Sequence, residues 1–94
     1  MADLEFEWDD AKDAANRAKH GVGFAVARNV FKDVFAIERL DDRQDSGEER
    51  YVVIGTVEGR LLSVAYTMRN EAIRIIPARG ATPHEQRQYH EENT

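Results

Sequence analysis

The chain has 94 residues, no cysteine, and 18 acidic against 13 Lys and Arg residues, for a formal net charge of −5. That length suits a single domain spanning 1–94, in which a chain of this size buries only about 60–65% of its unfolded surface. The absence of cysteine excludes a disulfide framework and a thiolate metal site. The acidic N-terminus (Asp3, Glu5, Glu7, Asp9, Asp10) is the wrong charge for a secretory signal, and no apolar run approaches the roughly 18 residues of a membrane span. A soluble, cytoplasmic protein is expected.

Apolar residues recur at helical spacing from Trp8 through Ala11, Ala15 and Ala18 to Val22. Asp9 or Asp10 supplies an N-cap, and Gly21, preceded by Lys19 and His20, supplies the stop. A shorter second helix is expected over Phe24 to Phe31. Four strands follow at Val34–Leu40, Arg50–Val57, Arg60–Arg69 and Ala72–Arg79. A charged loop over Asp41–Glu49 and tight turns at Glu58-Gly59 and Asn70-Glu71 separate them. These turns predict an antiparallel meander. In the third strand Leu62, Val64, Tyr66 and Met68 should face a core, with Arg69 on a more polar face. Pro77 marks an edge or a bulge, where a break in register would let Arg74 and Arg79 converge. Thr82, Pro83 and Glu85 form a capping box that starts a closing helix, reaching about Glu92. With Tyr89 its only large apolar residue, this helix is expected to be partly mobile or held by another chain.

Several residues have the chemistry of a site. Histidine titrates near neutrality and serves as a general acid or base, although His20 is equally a dipole-favoured helix-end residue beside a C′ glycine. Glu49 and Arg50 read either as a base held by an ion pair or as a solvated strand end. Arg69, Arg74 and Arg79 are more pointed, because the guanidinium fork matches a phosphate and stays charged. Between Arg60 and Arg79 four arginines stand against Glu71 alone, so a basic surface exists on an acidic chain. Trp8 could stack on a base, but a core anchor is the plainer reading. His20, His84 and His90 lack metal-ligand spacing, so neither metal nor cofactor is expected. From the residues alone the conclusion is a small α+β domain with an arginine-bearing sheet.

The string Phe6-Glu7-Trp8-Asp9 with Lys12 and Asn16, then Lys19-His20-Gly21-Val22 with Phe24 and Ala27, carries a resemblance that continues along the chain. It runs through Glu49-Arg50-Tyr51, Ile54-Gly55, Arg60-Leu61-Leu62, Val64 and Tyr66-Thr67-Met68-Arg69. Ile73-Arg74-Ile75-Ile76-Pro77-Ala78-Arg79, Glu85 and Tyr89 complete it. From Phe6 to Tyr89 the chain resembles the BrnT toxins, whose partner antitoxin is BrnA. The resemblance implies a small RelE-like fold with two N-terminal helices on a mostly antiparallel four-stranded sheet and a C-terminal helix. It implies an endoribonuclease that arrests translation and is neutralised by an antitoxin that itself binds operator DNA. By motif position it makes Lys19, His20, Glu49, Arg69 and Arg79 the catalytic candidates, with Arg50 and Arg74 as substrate-binding residues. The implied reaction is metal-independent and leaves a 2′,3′-cyclic phosphate. Two positions depart from the pattern: the family more often has a small polar residue at Pro77 and a basic one at Gly80, a lost cation that would weaken RNA binding. The alternative is a catalytically silent module of the same fold that only holds an antitoxin. A DNA-binding regulator would need a basic recognition helix, which neither the first nor the last helix provides.

Overall fold

The computed structural model describes residues 4–41 and 48–94, so residues 42–47 of the expected charged loop lie outside the described residues. The chain opens with a short strand β1 (Phe6–Glu7) and helix α1 (Asp10–His20). The Asp9 carboxylate caps α1 by accepting from the Lys12 N–H at 3.0 Å, and Gly21 ends it in the left-handed region at φ 71°. The expected second helix divides into α2 (Phe24–Ala27) and a 3₁₀ turn (Arg28–Lys32). Phe24, Ala27 and Val30 are all fully buried, and their spacing of three is the period of a 3₁₀ turn rather than of an α-helix.

Strand β2 (Ile37–Asp41) starts later than the expected Val34. Asp33 holds the chain in a turn there: its carboxylate accepts the Phe35 N–H at 2.9 Å and its carbonyl the Ala36 N–H at 3.0 Å. Val34 and Phe35 consequently stand exposed. Strands β3 (Arg50–Val57), β4 (Arg60–Arg69) and β5 (Ala72–Gly80) form the meander, and helix α3 (Pro83–Glu92) closes the chain. Both tight turns have two successive residues at positive φ: Glu58 and Gly59 at 52° and 81°, Asn70 and Glu71 at 52° and 67°. That geometry matches the twist of the strands it joins.

The sheet has five strands, not the expected four, in the order β1-β5-β4-β3-β2, and it is mixed because β1 runs parallel to β5. Two residues are too short to show an alternating pattern. Their pairing is instead made in space, by Phe6 against Phe31 with ring centroids 5.4 Å apart and by the Ile73 N–H donating to the Glu5 carbonyl at 2.8 Å. On one face α1, α2 and the 3₁₀ turn cover the main core of Phe24, Val30, Val53, Leu62, Val64 and Ile75. On the other, Tyr89 of α3 packs with Val52 and Ile54. The second face is therefore also partly buried: Ser63 and Thr67 are 5% and 2% exposed, whereas Met68, expected in the core, is 49% exposed at the sheet's end.

Helix α3 is held by its own chain. The Asp33 carboxylate accepts the Tyr89 hydroxyl at 2.7 Å and the Thr56 N–H at 2.8 Å, and the Asn93 amide donates to the Phe35 carbonyl at 3.0 Å. Polar contacts thus replace the apolar stripe that the helix lacks. Among the described residues no helix is long and apolar enough to cross a membrane.

Between Val64↔Ala78 and Tyr66↔Ile75 the register of β4 and β5 shifts by one residue, so Ile76 and Pro77 together oppose Ala65. Pro77 thus sits at a bulge, and the extra residue puts Arg74 and Arg79 on the same face. Beside the bulge β1 no longer pairs with β5, and the carboxamide of Asn16 takes its place. Its Nδ2 donates to the carbonyls of Ala78 (2.7 Å) and Val22 (2.8 Å), and its Oδ1 accepts the Ala78 N–H at 3.2 Å. Asn16→Ala leaves three buried backbone groups without partners, so a loss of about 2–4 kcal/mol is expected by urea denaturation. A loss below about 0.5 kcal/mol, the size of an ordinary surface substitution, would refute this role.

Candidate active site

Antiparallel register places several arginines on the α3 face of the sheet. Arg39 of β2 lies opposite Val52, and one residue beyond the Tyr51↔Tyr66 pair Arg50 falls beside Thr67, which in turn opposes Arg74. Arg79 lies opposite Ser63 on the same face. The seven predicted site residues do not form one cluster: Arg79 stands at one end of this face, Glu49, Arg50, Arg69 and Arg74 stand toward the other end of the sheet, and Lys19 and His20 end helix α1 across the sheet.

At one end, where β5 finishes, Arg79 meets Glu85. Its guanidinium donates to the two carboxylate oxygens of Glu85 at 2.8 and 3.2 Å, and Nη1 also donates to the Gly80 carbonyl at 3.1 Å. Glu85 is 4% exposed and also accepts from the Thr82 N–H at 2.9 Å and the Ser63 hydroxyl at 3.2 Å, with Arg39 at 3.6 Å. Burial pushes this carboxyl up, but the Arg79, Thr82 and Ser63 donors outweigh it and hold its pKa down at about 2. Lys19 and His20 approach the same end. Asn16 fixes α1 beside Ala78, the helix continues to His20, and Gly21 and Gly23 then line a cleft with Glu58, Arg60 and Leu62, the residue paired with Gly80. Lys19 is exposed and His20 half-buried, and neither side chain has a hydrogen-bond or ion-pair partner among the described residues.

At the other end Arg69 makes a forked ion pair with Glu48, at 3.0 and 3.1 Å from Nη2 and 3.3 Å from Nε. Glu49 does not pair with Arg50; its carboxylate accepts the Tyr51 hydroxyl at 3.2 Å, and its carbonyl the Thr67 hydroxyl at 2.6 Å. The Glu49 charge in turn raises the Tyr51 pKa. Arg74 lies 3.6 Å from Glu7, and the Arg50 Nε is buried without a partner among the described residues. Arg69 stands six residues along β4 from Ser63, the partner of Arg79, which is about 20 Å at strand rise. Arg69 is therefore not in one grip with Arg79. Trp8 packs edge-on against Phe24 at 6.2 Å, the core-anchor reading.

Sequence reasoning placed Glu85 in a capping box and went no further. The box is real, but its carboxylate is also the counter-ion of Arg79 and Arg39. The available signal was an acid in the first turn of a helix that begins only a few residues after an arginine-bearing strand.

A family model described as the ribonuclease toxin, BrnT, of type II toxin–antitoxin systems matches residues 8–85. No curated protein matches the chain.

Asp33 behaves as Glu85 does: burial raises its pKa, while the Thr56 N–H, the Tyr89 hydroxyl and the Phe35 N–H lower it further, to about 2. A carboxyl whose pKa is depressed on folding contributes stability in full above its unfolded value and loses it as the pH falls through the folded one. Stability should therefore decline from about pH 5 toward pH 2. Glu85→Gln and Asp33→Asn, each less stable at pH 7, should show a shallower decline over that window in urea titrations. Equal slopes in wild type and both variants would exclude these carboxylates as the cause.

Proposed function

Because the chain belongs to the BrnT family of ribonuclease toxins of type II toxin–antitoxin systems, we propose that it cleaves RNA where β5 meets the C-terminal end of α1. The observation that supports this reading is that Arg79 stands at the end of the sheet toward which Asn16 directs α1, the helix that ends in Lys19 and His20 on the other face. Arg79, oriented by Glu85, holds the scissile phosphate. His20 takes the proton of the 2′-hydroxyl as that oxygen attacks phosphorus, and Lys19 gives a proton to the departing 5′-oxygen. The products are a 2′,3′-cyclic phosphate and a 5′-hydroxyl, and no metal takes part. Arg69, Arg50 and Arg74, with Glu49 beside them, bind the strand at the far end of the same face. Binding there supplies affinity and orientation rather than bond cleavage.

Family membership brings a cognate antitoxin partner. We take that antitoxin to be BrnA-like, with operator DNA reached only through it, the fold to be RelE-like, and the site of action to be the cytoplasm, where the RNA is.

The test uses the antitoxin-free chain, unmodified single-stranded RNA and an excess of EDTA. Wild type should still cut and leave cyclic-phosphate and 5′-hydroxyl ends. Arg79→Ala should lose about 10²–10³-fold in rate, whereas Arg69→Ala should raise the RNA concentration needed and change the maximal rate little. Arg79→Lys and a melting curve of each variant separate lost chemistry from the unfolding that an unpaired Glu85 would cause. Cleavage that stops in EDTA or leaves 5′-phosphate ends would refute the scheme. A wild type that binds antitoxin but cuts nothing would favour the silent module.

A further inference from the structure

Arg60 is not one of these candidates. Its guanidinium lies across Gly80: a Cβ built there would stand 3.1 Å from Arg60 Nη2. Gly80 is also the residue whose carbonyl accepts from Arg79 Nη1, at 3.1 Å. Two guanidinium groups from neighbouring strands, starting on opposite faces of the sheet, thus converge on one glycine at the sheet's end. Each of the other arginines that bear on the α3 face from β2, β4 and β5 has a carboxylate near it: Arg39 and Arg79 have Glu85, Arg69 has Glu48 and Arg74 has Glu7. Arg60 has none among the described residues. It also lines two clefts at once. One, of about 320 Å³, contains Gly21 and Gly23 just past His20; the other, of about 650 Å³, contains Gly80, Gln86 and His90.

An exposed guanidinium without a carboxylate partner among the described residues, lying against the glycine whose carbonyl accepts from Arg79, is free to donate to the non-bridging oxygens of a phosphodiester. We infer that Arg60 is a substrate-binding residue of this toxin, which together with Arg79 clamps the RNA phosphate at Gly80. The inference deepens the proposed function and rests on it. Gly80 has a defined part: its lack of a side chain lets the Arg60 guanidinium lie close against the backbone. A methyl group there would push the flexible end of that side chain aside and leave the backbone unchanged.

The experiment measures binding of the antitoxin-free chain to a single-stranded oligonucleotide made wholly of 2′-O-methyl nucleotides, which the 2′-hydroxyl route cannot cut, across a series of salt concentrations. Cleavage of unmodified RNA is followed in parallel. Arg60→Ala should weaken binding about tenfold and reduce the slope of log affinity against log salt by about 0.7, the value for one lost phosphate contact on a single strand. Gly80→Ala should weaken binding in the same direction, by less, at an unchanged melting temperature. Arg28→Ala removes the same charge from an exposed site on the 3₁₀ turn and should leave affinity within about twofold, as expected where no phosphate is contacted. Arg60→Ala with wild-type affinity and slope overturns the assignment and leaves the cleavage-site reading standing. Equal losses for Arg28→Ala and Arg60→Ala reduce the effect to bulk charge and overturn it as well. A wild type that neither binds the oligonucleotide nor cleaves RNA refutes the cleavage-site reading and Arg60 with it.

Discussion

The carboxamide of Asn16 is the contact on which the rest of the arrangement depends. A strand edge that loses its neighbour exposes donors and acceptors, and β5 loses β1 after two residues. Past the bulge a regular strand would find the repeat of the ladder broken. One amide can pair there, since it offers donor and acceptor on a short stem. By bonding to both sides of Ala78 and to Val22, Asn16 joins the helix, the sheet edge and the chain segment after Gly21 at a single point. Helix α1 is thereby aimed along the sheet, so that its last turn, Lys19 and His20, runs on past Ala78 across the sheet from Arg79. Fold and site share this constraint: the bulge that needs Asn16 also rotates Arg79 onto the face where Glu85 receives it.

Charge follows a similar economy. A chain of net charge −5 is a poor electrostatic lure for RNA. Most of the arginines that bear on the α3 face are, moreover, matched to carboxylates, so part of their field is cancelled before any ligand arrives. The matches are unequal. Glu48 is 41% exposed in its side chain, and a pair of that kind exchanges readily with water or a phosphate, whereas the Glu7 oxygen facing Arg74 is buried. Glu85 is buried and held by four donors from three residues. It orients Arg79 rather than competing for it, much as a carboxylate orients a catalytic base elsewhere. The Glu48 pair is exchangeable and the Glu85 pair is fixed, so loosely and firmly held guanidinium groups stand at different ends of the sheet.

The helix ends, both tight turns, the meander and the closing capping box were legible because each depends on residues within a few positions of one another. Gly21 at positive φ, Glu58-Gly59 and Thr82 with Glu85 are local decisions made by backbone sterics and short hydrogen bonds. What was not legible is long-range. Strand β1 exists because β5 has an edge to offer, and the 3₁₀ turn exists because Val30 must join Phe24 and Ala27 in one layer. Met68 is exposed because none of the described residues covers that end of the sheet. At the site, residue types pointed to phosphate chemistry, but their grouping required the register. Glu49 with Arg50, and Arg69 with Arg79, are adjacent in the argument from types and separate in space.

Pro77 and Gly80, the two departures from the family pattern, take on a different meaning once placed. Proline has no N–H to offer a ladder, and here it occupies the bulge opposite Ala65, where the regular ladder of β4 and β5 is interrupted. It also discourages another chain from adding to the β5 edge there. Gly80 lacks a cation of its own, but its missing side chain is what admits Arg60 from the adjacent strand. A Cβ at this position would crowd the end of the Arg60 side chain, which would have to give way slightly, so the glycine lets a charge from β4 lie where β5 carries none.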